Sequence, residues 1–235
     1  LEEVNGSGGV LGRPLEFVFR DDQGKPGEAI KIAEELMTSE GTAMITGTIL
    51  SNVGLAISSH AAEKGYVYLA SEPLADALVW SAGNPYTFRL RASTYMQAAM
   101  LAEQAAKTDA VKYATIAPNY AYGKDAVAAF KKALSALKPD VEFVGEQWPG
   151  VFKIDAGAEV QALERAKPDA IYNVTFGPDL AKFVREGTDR GLFDGRKVYG
   201  LLSGEPEYID PLGDEAPEGW TVTGYPWQDI NNGPG

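Results

Sequence analysis

Short runs of apolar residues alternate along the chain with longer segments in which apolar residues recur every three or four positions. The short runs have the length and the β-branched and aromatic content of strands, and the longer segments have the spacing of half-buried helices. In the helix predicted over 124–137, for example, Ala126, Val127, Phe130 and Leu134 fall on one face. We predict strands at 15–19, 43–47, 66–69, 86–90, 113–117, 141–146, 170–174, 198–202 and 220–223. We predict the other helices at 29–37, 51–64, 94–107, 156–166 and 179–190.

The predicted elements form two successive halves, each made of repeated strand–helix units. A less regular stretch that contains Pro73, Gly83 and Pro85 precedes the strand at 86–90, and a second series of units begins after it. Repeated strand–helix units are typical of parallel sheets with helices on their faces. We therefore predict an α/β protein whose two halves are joined near residues 90–93.

Composition and charge narrow the classes of function. The net charge of −12 argues against binding to nucleic acid or to an anionic membrane surface, because both partners are themselves negatively charged. The chain has no cysteine and a single histidine, so disulfides, thiolate chemistry and sulfur-rich or histidine-rich metal sites are not expected. No apolar run approaches the ~20 residues that a membrane span needs, and no signal peptide is visible at Leu1. We expect no cofactor and no direct insertion into a membrane.

Polar residues follow two neighbouring strands of the first half. Ser51 and Asn52 come after the strand at 43–47 and begin a predicted helix, where free backbone N–H groups and a hydroxyl favour a carboxylate. Ala70, Ser71 and Glu72 follow the strand at 66–69. Ligands of open α/β sheets gather beyond the carboxyl ends of strands, so these residues are candidates for one crevice. The alternatives are a plain N-cap at Ser51 and a solvated loop at Glu72.

In the second half, strand ends are again followed by residues of types that are suited to binding small molecules. The candidates share this position and include hydroxyl, carboxylate and aromatic side chains: Tyr120, Tyr122, Thr175, Phe176, Ser203 and Glu205. A tyrosine at such a place offers a ring face and a hydroxyl together, although it also serves to cover the following helix. The recurrence of suitable groups at every strand end is stronger evidence for a binding crevice than any one residue.

The motifs of common α/β enzymes are missing. The glycine-rich stretch 6–9 precedes a strand, which is the reverse of a dinucleotide-binding fingerprint, and no phosphate-binding loop of the GxxxxGK[ST] type occurs. Ser51 lacks the sequence of a nucleophile elbow, and His60 lies too far along the same helix to act as its base. An enzyme that uses a carboxylate pair, such as Glu72 with Glu205, remains as an alternative without positive support.

Several short motifs occur along the chain in an order and at a spacing that are together specific. They are 5–14 (NGSGGVLGRP), 21–24 (DDQG), 47–51 (GTILS), 86–91 (YTFRLR), 122–123 (YG), 167–171 (KPDAI) and 218–220 (EGW). With these motifs the whole chain resembles the periplasmic solute-binding proteins of branched-chain amino-acid-type ABC transporters. The resemblance implies the type I fold of two Rossmann-like lobes with parallel sheets joined by a hinge. It assigns 1–90 to an incomplete lobe one and 91–223 to lobe two, and 224–235 would start a return crossing to lobe one.

The resemblance also implies a function and roles for residues. A small carboxylate-bearing ligand would bind between the lobes, which close over it and deliver it to the transporter's membrane permease outside the cytoplasm. Ser51 matches the carboxylate-holding serine of the family, Ser71 a second contact of lobe one, and Tyr122 an aromatic contact of lobe two. Residues 175–176 and 203–205 match two further contact loops. The family also starts before this chain and continues past it, so we expect a chain truncated at both ends that carries no signal peptide.

Two questions about function stay open from the sequence. In amino-acid binders of this family a carboxylate after the strand at 198–202 holds the α-ammonium group, whereas Ser203 stands there in this chain and Glu205 comes two residues later. An amino acid and an amine-free aromatic acid, held by Ser51 with Tyr120, Tyr122 and Phe176, are therefore both possible ligands. A sensory or regulatory ligand-binding domain on the same fold is the alternative to a transport protein.

Overall fold

Two parallel β-sheets form the centre of the protein, of which the computed structural model describes residues 1–224. The first sheet has the strand order β1-β2-β3, and the second has the order β5-β4-β6-β7-β8. The strands of the first sheet are β1 (Ile45–Gly47), β2 (Tyr68–Ala70) and β3 (Thr87–Arg89). The strands of the second sheet are β4 (Lys112–Ile116), β5 (Glu142–Gln147), β6 (Ala170–Asn173), β7 (Lys197–Gly200) and β8 (Thr221–Val222). Every pair of neighbouring strands in both sheets is parallel.

Helices connect the strands, as parallel pairing requires. They are α1 (Glu2–Gly6), α2 (Pro26–Thr38), α3 (Ser51–Lys64), α4 (Thr94–Ala105), α5 (Ala121–Leu137), α6 (Ala156–Ala166), α7 (Gly177–Asp189) and α8 (Pro206–Ile209). Two 3₁₀ segments, Asp76–Leu78 and Asp210–Glu215, complete the regular structure of the described residues. The local sequence accounts for several helix ends: Pro26 occupies the first position of α2, and Gly65 ends α3 in the left-handed conformation with φ 67°.

Each sheet has its own hydrophobic core, so the fold consists of two lobes. In the first lobe, α2 and α3 bury Ala33, Val53 and Ile57 against Ile45 and Tyr68 of the sheet. In the second lobe, side chains cover both faces of the five-stranded sheet, with one cluster between the sheet, α4 and α5 and another between the sheet, α6 and α7. These observations confirm the predicted α/β class with two lobes built on parallel sheets.

The described chain passes from the first sheet to the second in the segment between β3 and α4. Two contacts also join the lobes. The backbone N–H of Asp76 donates to Oδ2 of Asp125 across the two lobes at 3.0 Å, and Leu50 packs against the cores of both lobes. The domain boundary at residues 90 and 91 stays a prediction, and 225–235, which hold nearly all of the expected return crossing, lie outside the described residues.

The strand predicted at 15–19 is the one predicted element that the structure contradicts. These residues are extended, but none of the described strands pairs with them, and both backbone groups of Leu15 bond to the side chain of Asn5. Phe19 is 82% exposed. The apolar run predicts an extended segment correctly, whereas a strand also requires a hydrogen-bonded neighbour.

Candidate functional site

A cleft between the lobes collects residues that follow the carboxyl ends of strands in both sheets. Its first-lobe lining comes from Ile49, Ser51, Glu72 and Leu74, and Arg91 follows β3. The second lobe contributes Tyr120, Tyr122, Phe176, Leu202 and Tyr208. The cleft holds about 300 Å³ of space, including the part open to solvent. This is the place where ligands of parallel α/β sheets bind.

The sequence predicts that Ser51 caps the start of α3. In the structure Ser51 is instead the first residue of the helix, and its side chain forms no cap. The N-cap residue is Leu50, and no side-chain cap is formed there. The Ser51 hydroxyl oxygen instead accepts from the backbone N–H groups of Leu74, at 3.2 Å, and Ala75, at 3.1 Å. Because that oxygen already accepts two hydrogen bonds, its proton is free to be donated to a group in the cleft.

The start of α3 adds backbone donors beside this hydroxyl. The first backbone acceptor used in the helix is the carbonyl of Leu50, which Gly54 reaches. Within the described chain, the N–H groups of Ser51, Asn52 and Val53 have no hydrogen-bond acceptor. The positive end of the helix dipole lies at the same place, so this corner of the cleft favours a negatively charged group.

Aromatic side chains form the opposite wall of the cleft. The ring centroids of Tyr120 and Phe176 each lie 5.8 Å from that of Tyr122, and Tyr208 lies 6.0 Å from Phe176. Burial raises the pKa of Tyr208 to about 12 and that of Tyr122 well above its usual value, so both phenols are neutral. The wall is therefore uncharged and mostly apolar.

The Tyr122 hydroxyl is an exception to the usual pairing of buried polar groups. Tyr122 is 2% exposed, and its hydroxyl has no hydrogen-bond partner in the described structure. The turn that presents the ring requires Gly123, because a Cβ there would lie 2.0 Å from the carbonyl oxygen of Pro118. A buried, unpaired hydroxyl costs free energy, and a ligand that supplies a polar atom would remove this cost.

An ion triad lies at one side of the cleft. The Nη1 atom of Arg91 bonds to Glu72, which follows β2, and the Nη2 atom bonds to Glu205, which follows β7. Arg91 therefore joins a glutamate of each lobe. Burial lowers the pKa of Arg91 and the two carboxylates raise it, with a net upward shift. Burial also raises the pKa of Glu205, although Arg91 opposes this shift. Arg91 was not among the residues predicted from the sequence.

The structure brings part of the predicted set into the cleft. Ser51, Glu72, Tyr120, Tyr122 and Phe176 all line it. Glu205 is buried behind Arg91 and reaches the site through that side chain.

Other predicted residues lie near the cleft without lining it. Asn52 is exposed on α3, and Ala70 is fully buried in β2. Ser71 lines a second groove, which lies between α2, β1 and the extended residues 17–20.

Thr175 and Ser203 belong to a buried network centred on Asn173, which sequence reasoning missed. The Asn173 side chain accepts from the Thr175 hydroxyl at 2.7 Å and donates to the Ser203 hydroxyl at 3.1 Å. All three residues are at most 1% exposed. The network fixes the loops after β6 and β7, and these loops carry Phe176 and Glu205. An asparagine at the end of a predicted buried strand was the available signal.

A family model described as periplasmic binding protein matches residues 1–234 of this chain. The chain belongs to the periplasmic binding protein family. It is 28% identical over 192 residues to the Leu/Ile/Val-binding protein BraC3 of Rhizobium johnstonii, and the match covers 79% of this chain and 50% of that protein. The chain spans about half the length of the curated relatives it matches.

Solved structures of solute-binding proteins share the fold. One is the solute-binding protein of an ABC transporter from Rhodopseudomonas palustris BisB5 in complex with 3,4-dihydroxybenzoic acid. It has a TM-score of 0.76 and 25% identity, with 84% of this chain and 53% of that chain covered. The amino-acid ABC transporter substrate-binding protein of Pseudomonas fluorescens Pf-5 has a TM-score of 0.81 and 23% identity, with coverage of 97% and 61%. The predicted membership of the type I periplasmic binding proteins is confirmed.

Two further observations concern membranes and metals. In residues 1–224, no helix has both the length and the apolar character that crossing a membrane requires. The same residues contain no group of three or more histidine, aspartate or glutamate side chains placed to hold a metal ion.

Proposed function

We propose that the protein captures a small carboxylate-bearing solute in the cleft between its lobes and presents it to the membrane permease of an ABC transporter. The observation that carries this proposal is the corner at Ser51, where a free hydroxyl proton lies beside N–H groups of α3 that have no acceptor within residues 1–224. These donors match the oxygens of one carboxylate.

The aromatic wall opposite this corner determines which ligand bodies the cleft accepts. Tyr120, Tyr122, Phe176 and Tyr208 offer ring faces to an apolar or aromatic body, and the unpaired Tyr122 hydroxyl adds one polar contact. Aromatic acids and amino acids with apolar side chains both fit this description. The names of relatives agree with it, since one is a Leu/Ile/Val-binding protein and one neighbouring structure holds 3,4-dihydroxybenzoic acid.

Capture would proceed by closure of the lobes. Residues of both lobes line the cleft, and the described chain crosses between the lobes near Arg91, so a ligand that contacts both linings would stabilise the closed arrangement. Relatives and structural neighbours are named as binding proteins, and we propose no catalytic step. The expected location is the periplasm, where such a protein meets its permease.

A binding experiment with matched ligands tests the proposal. Thermal unfolding is measured with 4-hydroxybenzoate, 3-phenylpropanoate and L-leucine, and also with 4-hydroxybenzamide, which keeps the ring of the first ligand and lacks its carboxylate. We expect a saturable rise in melting temperature with at least one acid and none with the amide. Equal shifts with acid and amide, or no shift with any acid, would contradict the proposed role of the Ser51 corner.

A further inference from the structure

Arg91 is the basic side chain among the described residues that line the cleft, and it lies between two acidic ones. Its position after β3 corresponds to that of Ser51 after β1 and of Glu72 after β2. Glu205 is the more buried of its two partners, with a side chain that is 4% exposed against 43% for Glu72. The pairing therefore places a charged cluster inside a cleft whose remaining walls are largely apolar.

We propose that Arg91 determines the class of ligand: by pairing with both glutamates, it makes the cleft select carboxylic acids that lack an α-ammonium group. This inference rests on the proposed function, because it assumes that the ligand carboxylate binds at the start of α3. It assigns a specificity-determining role to a residue that contacts the acidic groups of the site rather than the carboxylate corner.

A ligand ammonium group needs a charged or polar acceptor in the cleft. Of the described lining residues, Glu72 is the acidic one, and Glu205 lies directly behind Arg91. Either glutamate would bring an ammonium group close to the guanidinium that it already binds. Repulsion between the two cations then offsets much of the attraction to the carboxylate. An ammonium group that stays away from the glutamates would face the apolar wall without a charged acceptor, which is costly.

A ligand without the amine avoids this conflict. Its single charge is neutralised at the Ser51 corner, and its body packs against Tyr122 and Phe176. Arg91 offsets part of the negative charge of the two glutamates and so reduces their repulsion of the ligand anion. Removing Arg91 reverses the balance, since two unpaired carboxylates then attract an ammonium group and repel an amine-free acid.

Two ligand pairs that differ only in the α-ammonium group isolate this effect. They are 3-phenylpropanoate with L-phenylalanine, and 4-methylpentanoate with L-leucine. Dissociation constants are measured by isothermal titration calorimetry, and the ratio of the amino-acid Kd to the amine-free Kd is compared between proteins. We expect a ratio of at least about 10 for the wild-type protein, since juxtaposed like charges strongly disfavour binding. A smaller ratio overturns the inference.

Variants of Arg91 and Glu205 then assign the effect. Arg91→Met should lower the ratio at least about tenfold, and a smaller change overturns the inference. Glu205→Gln leaves one carboxylate with Arg91, so the amine-free acids should bind more tightly than to wild type. Unchanged or weaker binding of these acids overturns the inference, and this arm does not depend on the folding of Arg91→Met. The matched control is Arg185→Met, which removes an arginine from an ion pair with Glu215 outside the cleft and should keep the wild-type ratio.

The outcomes separate this inference from the proposed function. If no member of either pair binds to the wild-type protein, the proposed capture of apolar carboxylates fails and the role of Arg91 fails with it. If the ligands bind but the ratios do not follow the predicted order, the proposed function stands and the role of Arg91 is refuted.

Discussion

Ser51→Ala is the substitution that most sharply tests the carboxylate corner. The Ser51 side chain has two kinds of contact, because its oxygen accepts from two backbone N–H groups and its proton is free for the ligand. Ser51 is 2% exposed, and the two donors belong to Leu74 and Ala75, which are 3% and 0% exposed. Water therefore does not readily replace the lost acceptor in the variant.

The expected magnitudes follow from these contacts. Leaving two buried N–H groups unpaired costs about 1–3 kcal/mol each, so we expect the free energy of unfolding to fall by at least about 2 kcal/mol. The lost hydrogen bond to a charged ligand should weaken binding by about 1–3 kcal/mol, which is roughly 5- to 150-fold in Kd. Both effects are large enough to measure separately.

Ser58→Ala is the matched control on the same helix. Ser58 is 1% exposed, and its hydroxyl bonds to Thr87 at 2.8 Å and Asn84 at 2.9 Å, outside the lining of the cleft. Stability is measured by urea unfolding, and affinity by calorimetry at a temperature where both variants are folded. We expect both variants to lose stability and only Ser51→Ala to lose affinity. Equal affinities in the two variants would refute the assignment of the Ser51 proton to the ligand.

Two further predictions concern stability. Tyr122→Phe removes a buried hydroxyl that has no partner among residues 1–224, so the ligand-free variant should be as stable as wild type or more so. The control Tyr113→Phe breaks a buried hydrogen bond and should lose about 1 kcal/mol in urea unfolding. A greater loss of stability in Tyr122→Phe than in Tyr113→Phe would contradict this prediction. The backbone N–H groups of Lys112 and Val111 lower the pKa of Asp169 below its usual 3.8. The stabilisation by this carboxylate is therefore present above pH 3.8 and lost as the pH falls through the lowered pKa. Asp169→Asn should have a lower free energy of unfolding than wild type at pH 7, and the difference between the two proteins should shrink at pH 3. A difference that grows as the pH falls would contradict the predicted direction of the pH dependence.

Local patterns in the sequence predict most of the fold because helices and strands bury one face at a fixed period. The helix predicted at 156–166 is observed with the same bounds, Ala156–Ala166, and in the structure Asp155 caps its start and Lys167 follows its end in the left-handed conformation. The segment at 15–19 shows the limit of this reasoning. Its short apolar run is that of a strand, but pairing depends on a neighbour that no local pattern reveals.

The site is predicted less completely, because its contacts join distant parts of the chain. The placement of polar and aromatic residues after strand ends predicted Ser51, Tyr122 and Phe176 as lining candidates, and all three line the cleft. The pairing of Arg91 was missed, since its partners lie 19 and 114 residues away along the chain. The acceptor role of Ser51 was also missed, because Leu74 lies 23 residues away. Such contacts follow from the packing of the lobes, not from spacing in the sequence.

A crystal structure of the protein with an acid that raises its melting temperature tests the central claim most directly. The account predicts that the ligand carboxylate lies about 3 Å from the Ser51 hydroxyl oxygen and from backbone nitrogens in the first turn of α3. It also predicts that the ligand body packs against Tyr122 and Phe176. A ligand in the groove beside β1, or one whose carboxylate points away from α3, would contradict the account.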